Sequence, residues 1–423
     1  MLDIKFIRNN PELVRECVKN KGEKTDISLI LKLDRKHKAL LFEFEEKRKL
    51  QNAVSKDIAQ AKKKGENADT LIADMKQVAE ETKVLQQKIK ILEEELNGEL
   101  LTIPNIFDES VTIGNDEADN KLIREWGVKP VFDFKPLDHL ELSEKLGLMD
   151  FQRAAKITGS GYPCYIGWGA KLERALINYM LDFQTEVNGY TEVFPPFIAN
   201  RQTMTGTGQL PKLENDMYHI DEDDLFLIPT GEVPLTNLHQ NEILSEDKLP
   251  LKYTAYTPCF RREAGSYGKD TKGLQRIHQF NKVELVQFVK PEDSEKALQE
   301  ILANAEAILQ NLGIPYRVMQ LCSGDLSFAA YKCYDIEVWS AGMEKYLEAS
   351  SCSNFIDFQA RRAQIRFRSS QDGKVHYVHT LNGSGVATSR TMIALLENNQ
   401  TKQGEIEVPE VLRKYIGGRE KIA

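Results

Sequence analysis

Residues 260–289 read FRREAGSYGKDTKGLQRIHQFNKVELVQFV, and the order of residue types in this run decides the architecture. Upstream lies Tyr253-Thr254-Ala255-Tyr256-Thr257, and the run ends in Val283-Glu284-Leu285-Val286-Gln287-Phe288-Val289. Both are rich in β-branched and aromatic residues, which suit a pleated strand. Between them the glycine-spaced polar residues Ser266 to Gly273 read as a loop. A strand-loop-strand hairpin follows, with Phe260-Arg261-Arg262-Glu263-Ala264-Gly265 at its lip. Such a lip offers a fork of donors to a phosphate and an acceptor to a base amino group. The same pattern also makes a plain surface salt-bridge patch, so the hairpin alone leaves its chemistry open.

A second arginine narrows the choice. Leu381-Asn382-Gly383-Ser384-Gly385-Val386-Ala387-Thr388-Ser389-Arg390 runs into the apolar helix Thr391 to Asn398. Small residues before an arginine on a helix's first turn admit a nucleotide closely, and the helix N-terminal dipole adds to the arginine's charge. A glycine-serine cap is the simpler alternative. From Ile103-Pro104-Asn105 onward, Gly and Pro punctuate short β-rich runs, with helical stretches at Ala170 to Asn188 and Pro291 to Leu312. This succession predicts an α+β domain around a mainly antiparallel sheet. The chain has no GxxxxGK[ST] loop and no GxGxxG between a strand and a helix, so a nucleotide here must be held by side chains on strands.

The amino-terminal part has another texture. Leu33, His37, Leu40, Phe44, Lys47, Gln51, Val54, Ile58 and Ala61 form one seam at alternating steps of four and three. After Lys62-Lys63-Lys64-Gly65-Glu66-Asn67, a second seam follows through Leu71, Met75, Val78, Thr82, Leu85, Ile89, Leu92 and Leu96. A heptad repeat broken once by a glycine turn predicts an antiparallel coiled-coil hairpin with arms of about 45 Å. Lys47 and Gln51 are polar seam positions that weaken packing. Periodicity leaves a dimerisation coil, a spacer and a recognition arm all open. The basic turn with Lys56 suits RNA phosphate, but a solvated charge run is the commoner explanation.

The chain has 423 residues, 41% hydrophobic and 28% charged, which suits two domains. No stretch approaches the roughly 20 apolar residues that cross a bilayer. The start, MLDIKFIRNNPEL, lacks a signal-peptide core, so the cytoplasm is expected, with no membrane partner. Cys17, Cys164, Cys259, Cys322, Cys333 and Cys352 include no CxxC pair and read as free thiols. A net charge of −8 means that any RNA is met by a local patch.

The two arginine segments resemble motifs two and three of class II aminoacyl-tRNA synthetases, and Gly169 to Pro196 resembles motif one. Thr207-Gly208-Gln209-Leu210-Pro211, Pro229-Thr230-Gly231-Glu232-Val233-Pro234, Arg261-Arg262-Glu263-Ala264-Gly265 and Glu348-Ala349-Ser350-Ser351-Cys352-Ser353-Asn354 narrow the resemblance to the bacterial-type seryl-tRNA synthetase family. So does Met1-Leu2-Asp3-Ile4-Lys5-Phe6-Ile7-Arg8, and the likeness runs nearly the whole chain.

That resemblance implies a class II antiparallel-sheet catalytic domain over 111–423 and a tRNA-binding domain with the helical hairpin over 1–110. It implies a homodimer built on motif one. It implies activation of L-serine by ATP and transfer to tRNA(Ser), and it leaves open whether tRNA(Sec) is also charged. Carried over residue by residue, serine falls to Thr230, Gly231, Glu232, Arg261, Glu284, Asn382 and Ser384. ATP falls to Arg261, Arg262, Glu263, Phe280, Glu348, Ala349, Ser350, Ser351 and Arg390, with Arg261 and Arg390 catalytic and Mg2+ on Glu348 and Ser351. Lys56, Lys62, Lys63 and Lys64 become tRNA contacts. Read without the family, glutamates on strands face solvent, and Thr230 and Ser384 are turn residues. Two departures stand out: Thr158 to Tyr165 lacks the family's Arg-Phe, and Ser389 stands where a glycine is common. The alternatives are an amino-acid-activating enzyme that loads a carrier protein and a non-catalytic paralogue.

Overall fold

The computed structural model describes residues 1–264 and 272–423. Gly265 and most of the loop expected over Ser266 to Gly273 therefore lie outside the described residues. The chain divides into two compact units, one of Leu2–Lys19 with Glu23–Pro104, the other of Met1, Asn20–Gly22 and Asn105–Ala423.

In the first unit, α1 (Ile27–Lys64) and α2 (Asp69–Leu101) pack together. The Asp26 carboxylate caps α1 by accepting from the Ser28 and Leu29 amides. Gly65 ends it in the left-handed region at φ +73°, with its amide on the last carbonyls. Asn67 Oδ1 then accepts from the Asp69 amide at 2.8 Å. The seam is closed where it begins and loosens toward the turn: Leu33, Leu85, Ile89, Leu92 and Leu96 are buried, whereas Leu71 is exposed. Lys47, expected to weaken the seam, reaches across to Glu81 Oε2 at 2.6 Å, and His37 Nε2 meets Glu93 Oε1 at 3.0 Å. Long polar seam residues thus join the two helices through their tips, a weak contribution at such exposed positions.

The second unit is built on eight strands: β1 (Lys121–Trp126), β2 (Thr191–Glu192), β3 (Leu251–Phe260), β4 (Gln279–Val289), β5 (Tyr316–Gln320), β6 (Lys332–Ser340), β7 (Lys345–Asn354) and β8 (His379–Ala387). They lie in the order β1-β5-β6-β7-β8-β4-β3-β2. Every pairing is antiparallel except that of β2 on β3. Helices α3 (Trp168–Glu186), α4 (Ser294–Asn311) and α5 (Thr388–Asn398) pack on this sheet. Leu176, Met180, Leu285, Ile301, Leu381 and Leu395 are fully or almost fully buried in the shared core. The six cysteines are free. No helix among the described residues is long and apolar enough to cross a membrane.

Among the described residues three bulges break the sheet's period, one on β1 between Leu122 and Arg124 and two at the site. Ile336 pairs with Ser350 but Glu337 pairs with Glu348, so Ala349 is an extra residue on β7. In a regular strand Glu348 and Ser351, three apart, would face opposite sides. The extra residue turns both toward one cavity. On β8, Ser384 pairs with Glu284 and Ala387 with Lys282, again one residue too many. Val386 takes φ +113° there, a rare conformation for a β-branched residue, immediately before α5 opens with Thr388.

Gly383 on β8 lies against α4, and a Cβ there would fall 2.2 Å from Ile301 Cγ2 and 3.2 Å from Cys352 Sγ. Gly383→Ala is expected to lower folding stability by about 1–3 kcal/mol through overpacking, read as a lower urea midpoint with an unchanged slope.

Candidate active site

A cavity of about 490 Å³ opens over β4, β7 and β8, within the range that holds small-molecule ligands. One wall comes from β4, where Phe280 and Lys282 lie two apart and so point the same way. Glu284 continues that face but is fully buried and does not line the cavity. Its carboxylate is enclosed by partners: Thr230 Oγ1 donates to Oε2 at 2.6 Å, Lys282 Nζ lies 2.5 Å from the same oxygen, and Asn382 Nδ2 is 3.5 Å from Oε1. Lys282 Nζ also donates to Thr230 Oγ1 at 2.8 Å, and the Glu232 amide to that oxygen at 3.2 Å. The Thr230 hydroxyl thus gives its one proton and fills both lone pairs. A bound ligand reaches this cluster by exchanging with one of those bonds.

Glu232 follows at the start of a short helix, Glu232–Thr236. Gly231 admits this approach, because a Cβ there would lie 3.0 Å from Glu284 Cβ and 3.1 Å from Thr257 Oγ1. The Glu232 carboxylate is held from behind by Gln359, whose Nε2 donates to Oε1 at 2.6 Å and to the Thr207 carbonyl at 3.2 Å. Gln359 Oε1 in turn accepts from Thr380 Oγ1 at 2.7 Å. Burial, and then the neighbouring Glu284, pushes the Glu232 carboxyl up from 4.5 to about 7. With both glutamates ionised and Lys282 charged, the cluster carries a net −1 beside the cavity.

The other groups in the cavity are arginines and their partners. Arg261 stacks over the Phe280 ring at 5.1 Å and donates from Nε to the Pro229 carbonyl at 3.3 Å. Arg276 Nη1 meets Glu263 Oε2 at 2.8 Å, with Glu263 in the left-handed region at φ +51°. Arg390, on the first turn of α5, donates to the Glu348 carbonyl at 2.7 Å, lies 3.1 Å from Glu348 Oε2, and donates from Nε to the Gln275 carbonyl at 3.2 Å. Ala349 and Ser350 line the cavity beside them. Ser351 Oγ lies 3.1 Å from Cys333 Sγ. Its other neighbour is Asp335, whose carboxyl is held well above the usual range by burial and by Glu348.

Of the expected residues, Thr230, Glu232, Arg261, Glu263, Phe280, Glu348, Ala349, Ser350, Ser351, Asn382, Ser384 and Arg390 line this one cavity. Arg262 does not; its guanidinium lies over Tyr218 at 5.9 Å and its amide donates to the Asp216 carbonyl at 3.1 Å. Lys282, Arg276 and Gln359 were not singled out from sequence. The two-residue spacing from Phe280 and Glu284 was a usable signal for Lys282, whereas nothing local marks Gln359. Ser389, at the family's common glycine, is buried in the wall. The Thr158 to Tyr165 stretch is tied in by the His278 amide on the Gly161 carbonyl at 2.8 Å and by Tyr162 on Tyr218 at 2.7 Å. Lys56, Lys62, Lys63 and Lys64 are exposed, the last three in the final turn of α1.

A nucleotide-sized cavity on an antiparallel sheet, with an arginine from the strand hairpin and another from helix α5, defines a class II aminoacyl-tRNA synthetase core. Residues 214–399 match the family model "tRNA synthetase class II core domain (G, H, P, S and T)" and residues 1–107 match "Seryl-tRNA synthetase N-terminal domain". The serine–tRNA ligase of Thermodesulfovibrio yellowstonii is 54% identical, with 99% of each chain covered. The seryl-tRNA synthetase of Pyrococcus horikoshii complexed with ATP superposes with a TM-score of 0.94 at 41% identity, covering 100% of this chain and 99% of that one. The cytoplasmic serine–tRNA ligase of Naegleria fowleri in complex with AMP gives 0.88 at 31%, covering 100% and 98%. The chain belongs to the seryl-tRNA synthetase family, the class II enzymes that ligate serine to tRNA. The carrier-loading and non-catalytic alternatives find no support in these matches.

Because the folded protein keeps a proton on Glu232 up to about pH 7 while an unfolded chain loses it near 4.5, this group's contribution to stability falls as pH rises between those values. Ligand binding runs the other way. Serine affinity is expected to weaken by up to about tenfold per unit as pH falls below 7, where the neutral carboxyl no longer attracts an ammonium. Glu232→Gln should abolish that limb in a calorimetric titration across pH 5.5–8.5, and an unchanged limb would assign it to another group.

Proposed function

We propose that serine binds at the Thr230, Glu232, Lys282 and Glu284 cluster and ATP among Arg261, Arg276, Phe280 and Arg390. The observation that carries this reading is a cluster of two glutamates and one lysine set beside Arg261 at one cavity. An amino acid presents an ammonium to the first and a carboxylate to the second. Gly231, Asn382 and Ser384 complete the pocket for a small polar side chain. A site that pairs the serine hydroxyl rejects alanine, because the buried polar groups would be left without a partner. Threonine is excluded by shape.

The ATP assignment draws support from the ATP held by the Pyrococcus relative. Adenine stacks on Phe280 near Glu263, the α-phosphate meets Arg261, and Arg390 meets the outer phosphates. Glu348 and Ser351 offer hard oxygen donors on one face, which suits Mg2+, an ion bound by one or two carboxylates together with substrate phosphates. Bound there, the ion supplies charge neutralisation on the phosphates. Arg261 aligns the serine carboxylate for in-line attack on the α-phosphorus. One carboxylate oxygen forms the new P–O bond, the bond to the bridging oxygen breaks, and pyrophosphate leaves. The tRNA terminal hydroxyl then attacks the seryl carbonyl, its proton passes to the departing phosphate, and AMP leaves. Catalysis is positioning and electrostatics, with no protein general base.

The helical hairpin serves as the tRNA(Ser) recognition arm, with Lys56, Lys62, Lys63 and Lys64 on phosphates. Their exposure supports this, although cations in a helix's last turn also suit the helix dipole. A homodimer through motif one accounts for the exposed apolar Phe194, two residues beyond the short edge strand β2. The cytoplasm is the proposed compartment.

Arg261→Ala is expected to slow serine-dependent ATP–pyrophosphate exchange at least about tenfold, the worth of a charged hydrogen bond to phosphate; full exchange in that variant would refute the assignment. Removal of residues 33–96 should leave exchange intact and abolish transfer of serine to tRNA, and charging by the truncated protein would refute the role of the arm.

A further inference from the structure

Helix α5 is tied to one short segment of chain at both of its ends. At the first turn, Arg390 Nε donates to the Gln275 carbonyl at 3.2 Å. Seven residues later on the same helix stands Glu397, with no solvent exposure. Its Oε1 accepts from the His139 amide at 2.9 Å and from His139 Nδ1 at 3.0 Å. Its Oε2 accepts from Ser340 Oγ and from the Gly342 amide, the latter at 3.0 Å. The other ring nitrogen, His139 Nε2, accepts from the Leu274 amide at 3.3 Å.

This pattern fixes the tautomer: the proton sits on Nδ1, facing the carboxylate, and the Nε2 lone pair faces Leu274. The packing against that nitrogen is tight. Gly273 takes φ +64°, and a Cβ there would lie 2.1 Å from His139 Nε2. His139 is itself buried. The residues that follow Leu274, namely Gln275, Arg276 and Ile277, line the cavity.

We propose that His139 and Glu397 are positioning residues for the nucleotide half of the site, acting through the Leu274 amide. The helix serves as a strut, with Arg390 at one end and the carboxylate that orients His139 at the other. The two hydrogen bonds on adjacent residues, Leu274 and Gln275, set the segment that carries Arg276 at a fixed place relative to the Arg390 guanidinium. The serine cluster on β4 and the Glu232–Thr236 helix lies outside this linkage. Loosening the clamp therefore affects ATP and spares serine. The inference rests on the assignment of ATP to Arg261, Arg276 and Arg390.

The test is steady-state ATP–pyrophosphate exchange with the full chain, varying ATP and serine separately, in Gly273→Ala, His139→Asn and Arg390→Ala. Thermal midpoints and active-site titration accompany each variant. Gly273→Ala displaces the segment from the imidazole while leaving the buried His139–Glu397 pair whole, so it decides the matter if His139→Asn does not fold. The expected result is a KM for ATP raised about three- to tenfold in Gly273→Ala, the loss of about one hydrogen bond, with the KM for serine within about twofold of the parent. His139→Asn, where folded, should match it. An unchanged KM for ATP in Gly273→Ala, or equal rises for ATP and serine, would overturn the clamp. An Arg390→Ala variant with a normal KM for ATP would instead overturn the ATP assignment beneath it.

Discussion

A carboxylate with no access to water must find its counter-charge and its hydrogen bonds within the protein, and Glu284 in the middle of β4 imposes that demand on everything around it. Lys282 supplies the charge and Thr230 a donor, while Asn382 closes the remaining side. Removing one partner of such a buried pair costs about 3–5 kcal/mol, so three separate segments are held in register by one group. The Thr230 turn, β4 and β8 meet there because each brings something that Glu284 needs. The pocket is a consequence: Glu232 follows Thr230 by two residues and Arg261 comes directly after β3, the strand paired with β4, so fixing the cluster also fixes an acidic and a basic group beside one cavity.

The sheet's departures from regularity complete the arrangement. The extra residue at Ala349 brings Glu348 and Ser351 to one side, and the extra residue before Ala387 bends β8 into α5, so that Arg390 emerges over the cavity. A regular antiparallel sheet would place these groups on opposite faces. The strained backbone at Val386 is accordingly found where a strand must change direction within two residues and deliver an arginine, a position at which strain and function commonly coincide.

Much of this was legible in the sequence wherever a period or a local spacing carries the information. The helical hairpin follows from a heptad that any exposed two-helix arm must keep, and α5 follows from the small residues that precede Arg390. β4 was legible from its β-branched and aromatic run, and with it the face shared by Phe280 and Glu284. Lys282 belongs to that face by the same two-residue step, yet a lysine on a strand ordinarily points to solvent, and only the buried glutamate reverses that expectation. Gln359 behind Glu232, and His139 on Glu397, are joined across 127 and 258 residues, separations that no local pattern encodes. The bulge at Ala349 is equally silent, since Glu348 and Ser351 read by simple alternation fall on opposite faces. Arg262 shows the converse. Adjacent to Arg261 in a dense motif, it lies outside the cavity with its guanidinium over Tyr218.

The central claim is that the Thr230, Glu232, Lys282 and Glu284 cluster beside Arg261 binds serine and pairs its hydroxyl, and the most direct measurement is ATP–pyrophosphate exchange with serine, alanine, glycine and threonine in turn, alongside transfer of each amino acid to tRNA. The account predicts exchange and transfer with serine and a preference over alanine of about 10⁴-fold or more. Comparable exchange with alanine, or serine-dependent exchange with no transfer to tRNA, would contradict it.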